Sequence, residues 1–190
     1  TMKLWEGPNG EMPETGCCTS ADSEDARKVA AKLDIPYYVL DYTASFSENV
    51  IDNFVDMYSQ GLTPNPCVEC NRSVKFDHFI DQAKKLNCEK VATGHYAKIV
   101  KNSDIFELHK ADYLDKDQSY VLHMLDSEKL AQIEFPLGTI SKPEVRQIAA
   151  TLGLKTAFKK DSQDICFVGK KDYRNFVSKR IDVSSKGLIV

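Results

Sequence analysis

The sequence predicts an α/β fold: a doubly wound parallel sheet followed by a smaller, mainly helical unit. Three observations predict it. Apolar residues at helical spacing alternate with short β-rich runs through the first half. A Gly-His pair at 94–95 follows one of those runs, at the carboxyl edge where open α/β sheets present their loops. Helical signals then dominate the later part of the chain.

Thr19 with Asp22 supplies a capping box for a helix whose apolar stripe is Ala26, Val29, Ala30 and Leu33. Tyr37 to Tyr42 reads as a strand. Val50, Ile51, Phe54, Val55 and Tyr58 form a second amphipathic helix, stopped near Gly61. Thr63-Pro-Asn-Pro66 is predicted to be a rigid loop, because each proline removes a backbone donor and restricts the residue before it. That loop delivers Cys67 and Cys70 to the start of whatever follows. Phe76, Phe79, Ile80, Ala83 and Leu86 make a third helix, and Lys90 to Thr93 a short buried strand.

The α-β-α-α-β order suits a doubly wound parallel sheet that has lost its first strand and helix. Ala97 to Val100 and Ile105 to His109, around turn residues 102–104, read as a β-hairpin spanning 97–109. Ser141, Pro143 and Glu144 cap a helix carrying Val145, Ile148, Ala149 and Leu152, which Gly153 ends. Ile165, Phe167 and Val168 read as a short strand that presents Cys166 after a polar turn. The segment from Glu6 to Glu14, with Gly7, Pro8, Gly10 and Pro13, reads as a mobile loop. A boundary is expected at 112–115, dividing an α/β domain at 1–112 from a mainly helical unit at 113–190 that carries Cys166.

At 190 residues and 42% hydrophobic, the chain can bury one substantial core and a small second unit. No apolar run approaches the roughly 18 residues of a membrane span, and no leader pattern opens the chain. The expectation is a cytoplasmic protein without membrane contact. There, six cysteines point to reduced, catalytic or metal-binding thiols rather than a disulfide framework.

The net charge of −3 hides an asymmetry. Residues 1–66 carry 4 Lys/Arg against 11 Asp/Glu, residues 67–154 carry 12 against 13, and residues 155–190 carry 9 against 4. Lys159, Lys160, Lys170, Lys171, Arg174, Lys179 and Arg180 surround or follow Cys166, so this end could hold a polyanion near that thiol, or present only a solvated basic face.

Four segments in this order closely resemble the tRNA-specific 2-thiouridylases of the MnmA/TrmU family: Thr63-Pro-Asn-Pro-Cys-Val-Glu-Cys-Asn-Arg72, Thr93-Gly-His-Tyr96, Lys116-Asp-Gln-Ser-Tyr120 and Lys160-Asp-Ser-Gln-Asp-Ile-Cys-Phe-Val168. The likeness runs from Met2 to the end of the chain. It implies a PP-loop ATP-pyrophosphatase fold, adenine nucleotide alpha hydrolase-like. The family's Ser-Gly-Gly-x-Asp-Ser phosphate loop, which normally precedes residue 1, and the β-domains that normally follow Val190 are expected to be missing from this chain.

The resemblance implies ATP-dependent 2-thiolation of the wobble uridine of tRNA of the Lys, Glu and Gln type, with ATP and Mg²⁺. The uridine 2-oxygen is adenylated, a persulfide sulfur attacks, and AMP and pyrophosphate are released. Cys166 would carry the persulfide and Cys70 would be the second catalytic cysteine, leaving a disulfide between them for a reductant to reopen. Met2 and Gly94 would contact ATP. Asn65, Pro66 and Cys67 match the loop that receives the extruded target base. His95, Lys116, Asp117 and Gln118 match tRNA contacts. The partners are tRNA and a sulfur donor, either a cysteine desulfurase or a relay protein.

The residues themselves leave alternatives open. Basic neighbours favour a thiolate at Cys166, whereas a buried strand cysteine would be inert packing. Some family members carry aspartate at position 67, so Cys67-x-x-Cys70 departs from their pattern. With Cys166, the pair could hold a [4Fe-4S] cluster; alone, it is half of a zinc pattern or a redox pair. Apart from the family, Gly94-His95 is a turn with a solvated histidine, and Lys116-Asp-Gln118 an exposed helix N-terminus. Cys17, Cys18 and Cys88 are read as structural. The runner-up functions are another ATP-dependent adenylating enzyme of the same fold group, and an inactive tRNA- or metal-binding fragment.

Overall fold

The computed structural model describes residues 1–6, 19–159, 161, 165–168 and 173–181. Cys17, Cys18, Lys160, Ser162 to Asp164, Lys170, Lys171 and most of the predicted 6–14 loop lie outside them. The chain packs as two units, one made of 1–66 with 161–190 and the other of 67–160. This partition by packing differs from the partition by function expected at 112–115.

In the first unit, strand β1 (Met2–Lys3) pairs in parallel with β2 (Leu40–Asp41). Helix α1 (Ser20–Lys32) connects them and opens on the expected capping box, with the Thr19 hydroxyl accepting from the Asp22 amide and the Asp22 carboxylate accepting from Thr19. It ends where Asp34 takes a left-handed φ of 52° and the Ile35 amide reaches back to the Ala30 carbonyl at 3.1 Å. The strand expected over Tyr37 to Tyr42 is thus narrower, two residues long.

A continuous helix, α2, follows. It is α-helical at Thr43–Phe46, widens to π-type hydrogen bonding at Ser47–Asp52 and returns to α at Asn53–Ser59. The Asn49 amide donates to the Ser45 carbonyl at 2.9 Å, occupying the acceptor that an α-helical ladder would use. Gly61, at φ 75°, ends the helix as expected. Phe46, Val50 and Phe54 are its core face, each about 1% exposed. Burying a Phe or Val side chain of this kind contributes about 1.5–3 kcal/mol.

Helix α3 opens at Pro66, the last residue of the first unit's N-terminal stretch, and runs on in the second: α-helical at Pro66–Glu69, π-type at Cys70–His78 and α again at Phe79–Lys85. The sequence reading started this helix near Phe76 and kept Pro66 in the loop. Proline's missing N–H costs nothing at a first helical position, so Pro66 heads the helix instead. Strand β3 (Val91–Ala92) pairs in parallel with β6 (Ile133–Glu134), and β4 (Ala97–Asn102) pairs with β5 (Ile105–Lys110) in the predicted antiparallel hairpin. β6 falls in the stretch read as helical and was not anticipated.

Short 3-10 turns at Leu114–Lys116 and Ser119–Val121, then helix α4 (Ser127–Leu130), lie between the hairpin and β6. Helix α5 (Lys142–Thr151) has the predicted Ser141/Glu144 capping box, and Gly153 leaves it at φ 64°. One core joins these pieces: Phe76, Ile80 and Ala83 of α3, Val91, Ala97, Val121, Leu122, Leu125, Leu130, Ile133 and Phe135. Both units are therefore α/β in character, with parallel strand pairs joined through helices. Among the described residues, no helix is long and apolar enough to cross a membrane.

Candidate functional site

The two cysteine segments are best described separately, each within its own unit. Asn65 is exposed just before α3, Pro66 is buried as its first residue, Cys67 is exposed on the first turn and Cys70 is buried, 8% exposed. A spacing of three puts Cys67 and Cys70 on neighbouring positions of one helix face. The helix secures this turn with its own side chains: the Asn71 amide donates to the Cys67 carbonyl at 3.0 Å and the Ser73 hydroxyl to the Glu69 carbonyl at 2.9 Å. Those carbonyls are the acceptors an α-helical ladder would take, and the π-type stretch begins at Cys70. Asn71 is 3% exposed, and its Oδ1 has no hydrogen-bond partner among the described residues.

Cys166 sits in a turn, where the Val168 amide donates to the Ile165 carbonyl at 3.1 Å. The predicted strand at Ile165 to Val168 is not formed. Its alternating apolar pattern comes from Phe167, which is buried against Phe46 at 5.8 Å, Phe54 at 5.2 Å and Phe176 at 5.2 Å between ring centroids. Cys166 itself is half-buried, so it is neither in a strand nor a core packing residue. Nearby in sequence, the Arg180 guanidinium lies 3.8 Å over the Phe176 ring and Arg174 lies 5.9 Å over Tyr173, itself stacked on Tyr58. Two of the expected basic residues are thus oriented by aromatic rings of the unit that carries Cys166. Lys159 and Lys179 are exposed.

Met2 is half-buried in β1, paired with Leu40. Gly94 is exposed directly after β3. A Cβ there would meet only Leu137 Cδ1, at an ordinary 3.7 Å, and Gly94 is not among the residues of positive φ, so neither packing nor backbone conformation demands glycine.

His95 is not solvated. It is 9% exposed, its Nδ1 lies 2.8 Å from the Thr93 hydroxyl, and Phe76 and Phe135 flank its ring at 5.8 and 5.9 Å. Burial, and next the charge of Lys75, push its pKa down to about 4, which leaves the ring neutral at pH 7.

The Lys116 to Gln118 segment is not a helix N-terminus but the junction between two single turns. The Gln118 amide donates to the Tyr96 carbonyl at 2.8 Å, and the Tyr96 amide donates to Gln118 Oε1 at 3.1 Å. Asp117 accepts from the Ala111 amide at 2.8 Å and from the Ser119 hydroxyl at 2.7 Å. Lys116 is half-buried. The second unit therefore brings Thr93 to Tyr96 and Lys116 to Gln118 together, on top of the core that also seats α3.

Several contributors escaped the sequence reading. Thr93 two residues before His95 and Asn71 four residues after Cys67 were legible as spacings. Phe167 as an anchor and Gln118 as a backbone partner were not, because their partners are distant in sequence. Cys88, read as structural, is exposed after the end of α3. Among the described residues of the second unit, Cys67 and Cys70 are joined by no third His, Cys, Asp or Glu placed to hold a metal ion.

A family profile described as tRNA methyl transferase HUP domain matches residues 1–170. The chain belongs to this family. Similar curated proteins include several named tRNA-specific 2-thiouridylase MnmA. That of Chloroflexus aurantiacus is 48% identical over 178 residues, covering 93% of this chain and 50% of the relative. Those of Clostridioides difficile and Rickettsia peacockii are each 46% identical, over 94% and 100% of this chain and 50% and 52% of theirs. The resemblance carried by the four motifs is borne out. The chain spans about half the length of the curated relatives it matches.

Proposed function

We propose that this chain forms the central part of an ATP-dependent tRNA-uridine 2-sulfurtransferase acting on the wobble uridine of tRNA of the Lys, Glu and Gln type. The observation that carries the reading is identity of 46–48% across 93–100% of the chain to relatives named tRNA-specific 2-thiouridylase; the ATP dependence, the wobble position and the tRNA set follow from the motif resemblance. The family description speaks instead of methyl transfer. The segments around Cys70 and Cys166 support sulfur chemistry, because holding a persulfide and opening it call for two thiols.

The uridine 2-oxygen is a poor leaving group, and ATP with Mg²⁺ supplies the adenylyl group that makes it leave as AMP. Gly94 supports a nucleotide reading of the β3 edge: its glycine is explained by neither packing nor φ, which leaves close approach of a ligand as its reason. Met2, at the start of the first unit, is assigned to the adenine. Asn65, Pro66 and Cys67 receive the extruded base, which must leave the stack for its 2-position to be reached.

Cys166 receives a terminal sulfur from a cysteine desulfurase or relay protein and holds it as a persulfide. The Cys70 thiolate attacks Cys166 Sγ. The terminal sulfur leaves with the S–S electron pair to attack C2, and Cys70 and Cys166 are left as a disulfide. A dithiol reductant then supplies two electrons and two protons to restore both thiols. His95, Lys116, Asp117 and Gln118 are assigned to the tRNA-facing part, and 1–112 and 113–190 to nucleotide-binding and tRNA-binding roles. The setting is the cytoplasm.

The competing reading is a [4Fe-4S] cluster on Cys67, Cys70 and Cys166. It is favoured by the cysteine at 67, where some family members carry aspartate. The two part on one comparison in the intact protein purified without oxygen. Under the persulfide route Cys67→Ser retains thiolation, whereas Cys70→Ser and Cys166→Ser lose it while still binding tRNA. Loss of thiolation in all three, with iron and sulfide in the wild type, favours the cluster. A Cys166→Ser protein that still turns over sinks both.

A further inference from the structure

In the reading above Gly94 of the Thr93 to Tyr96 loop is assigned to ATP, while His95 and the Lys116 to Gln118 loop are assigned to tRNA, and the two loops are bonded to each other rather than merely adjacent. Gln118 meets Tyr96 twice, donating its own amide to the Tyr96 carbonyl at 2.8 Å and accepting the Tyr96 amide on its side-chain oxygen at 3.1 Å. Tyr96 is 4% exposed, so its amide has no solvent to fall back on if that oxygen is removed. Asp117 is committed inward in the same way, one carboxylate oxygen to the Ala111 amide and the other to the Ser119 hydroxyl.

We propose that Gln118 is a positioning residue that clamps the Thr93 to Tyr96 loop to the Lys116 to Gln118 loop, so that a ligand seated on one biases the other. The functional half of this rests on the nucleotide and tRNA assignments given under Proposed function; the clamp itself rests on the hydrogen bonds. Gln118 accepts the Tyr96 amide on its side-chain oxygen, and its side-chain NH2 donors are the groups left for the tRNA contact assigned to it. His95 rides on the clamped loop between its Thr93 bond and the Phe76 and Phe135 rings, so the loop presents a single arrangement.

The test compares Gln118→Met, which keeps bulk and loses the acceptor, with Gln118→Glu, which keeps an acceptor, in the intact protein. The first readout is amide hydrogen exchange at Tyr96. Exchange in Gln118→Met is expected to quicken roughly tenfold or more, and Gln118→Glu to restore protection. The second readout is the KM for ATP at saturating tRNA, expected to rise several-fold in Gln118→Met and to recover in Gln118→Glu.

Unchanged Tyr96 exchange in Gln118→Met overturns the clamp. Quickened exchange with weaker tRNA binding and an unaltered ATP KM overturns the coupling and leaves Gln118 as a support for the tRNA-facing loop alone. The exchange arm needs no turnover. A wild-type protein that never thiolates tRNA therefore sinks the functional reading while exchange still decides the clamp.

Discussion

Cys70 and Cys166 are held by opposite strategies. Cys70 is seated by its own helix: Pro66 starts the turn, and Asn71 and Ser73 bond carbonyls four residues behind them. Cys166 sits on a turn in which the Val168 amide donates to the Ile165 carbonyl, and its place is set by Phe167 plugged among rings from α2 and from the segment after it. One thiol is positioned by neighbours within a few residues, the other by packing partners more than a hundred residues away in sequence. A local arrangement forms early and tolerates loss of single contacts; a non-local one waits for the fold and depends on one large side chain.

The largest effect is expected where that dependence is greatest. Phe167→Ala should cost about 3–5 kcal/mol in urea unfolding and make Cys166 react faster with an alkylating agent, with Cys70 unaffected. A loss under about 1 kcal/mol would break the contrast.

Acid should separate the two units in the other direction. His95 packs on Phe76 of the helix that carries Cys70, and burial holds its pKa at about 4, below the ordinary 6.5. The unfolded chain binds this proton first, so the contribution is fully present above pH 6.5 and declines as pH falls toward about 4. The total is of order 3 kcal/mol. Urea titrations of wild type and His95→Asn across this range should diverge in slope, with the loss reported by hydrogen exchange in α3 and not in α2. Parallel slopes would remove His95 as the cause.

The second unit has its own non-local constraint. A Cβ at Gly138 would fall 2.1 Å from the Ala97 carbonyl oxygen, a backbone atom that cannot swing aside. Gly138→Ala is expected to cost about 1–3 kcal/mol, read by thermal unfolding, and to disturb the hairpin start rather than the cysteine helix.

The smallest effect belongs to Asn71. Asn71→Ala gives up the bond to the Cys67 carbonyl but also removes a buried oxygen that has no partner among the described residues, so the net loss should stay below about 1 kcal/mol in urea unfolding. A loss of several kcal/mol would mean that the helix start is less redundant than its bonds suggest.

What was legible in the sequence divides along the same line. Both capping boxes and the glycine stops after α2 and α5 rest on contacts within four or five residues, the hairpin pairs residues no more than thirteen apart, and each formed as read. The paired cysteines were rightly put at the start of an element, though Pro66 belongs to the helix it opens. Legibility failed where partners are remote. Ile165 to Val168 alternates like a strand, yet its apolar residue answers to α2. β6 is two residues long and defined only by its pairing to β3. His95 looked solvated because Phe76 and Phe135 approach it from either side in sequence, and Gln118 looked outward because its partner lies 22 residues earlier.

The most direct measurement is nucleoside mass spectrometry of unmodified tRNA incubated with the intact protein, ATP and a persulfide donor. The expected result is replacement of one oxygen by sulfur in the wobble uridine, with AMP released in equal amount. A uridine left unchanged while ATP and donor are present, or one that gains a methyl group instead, would contradict the central claim.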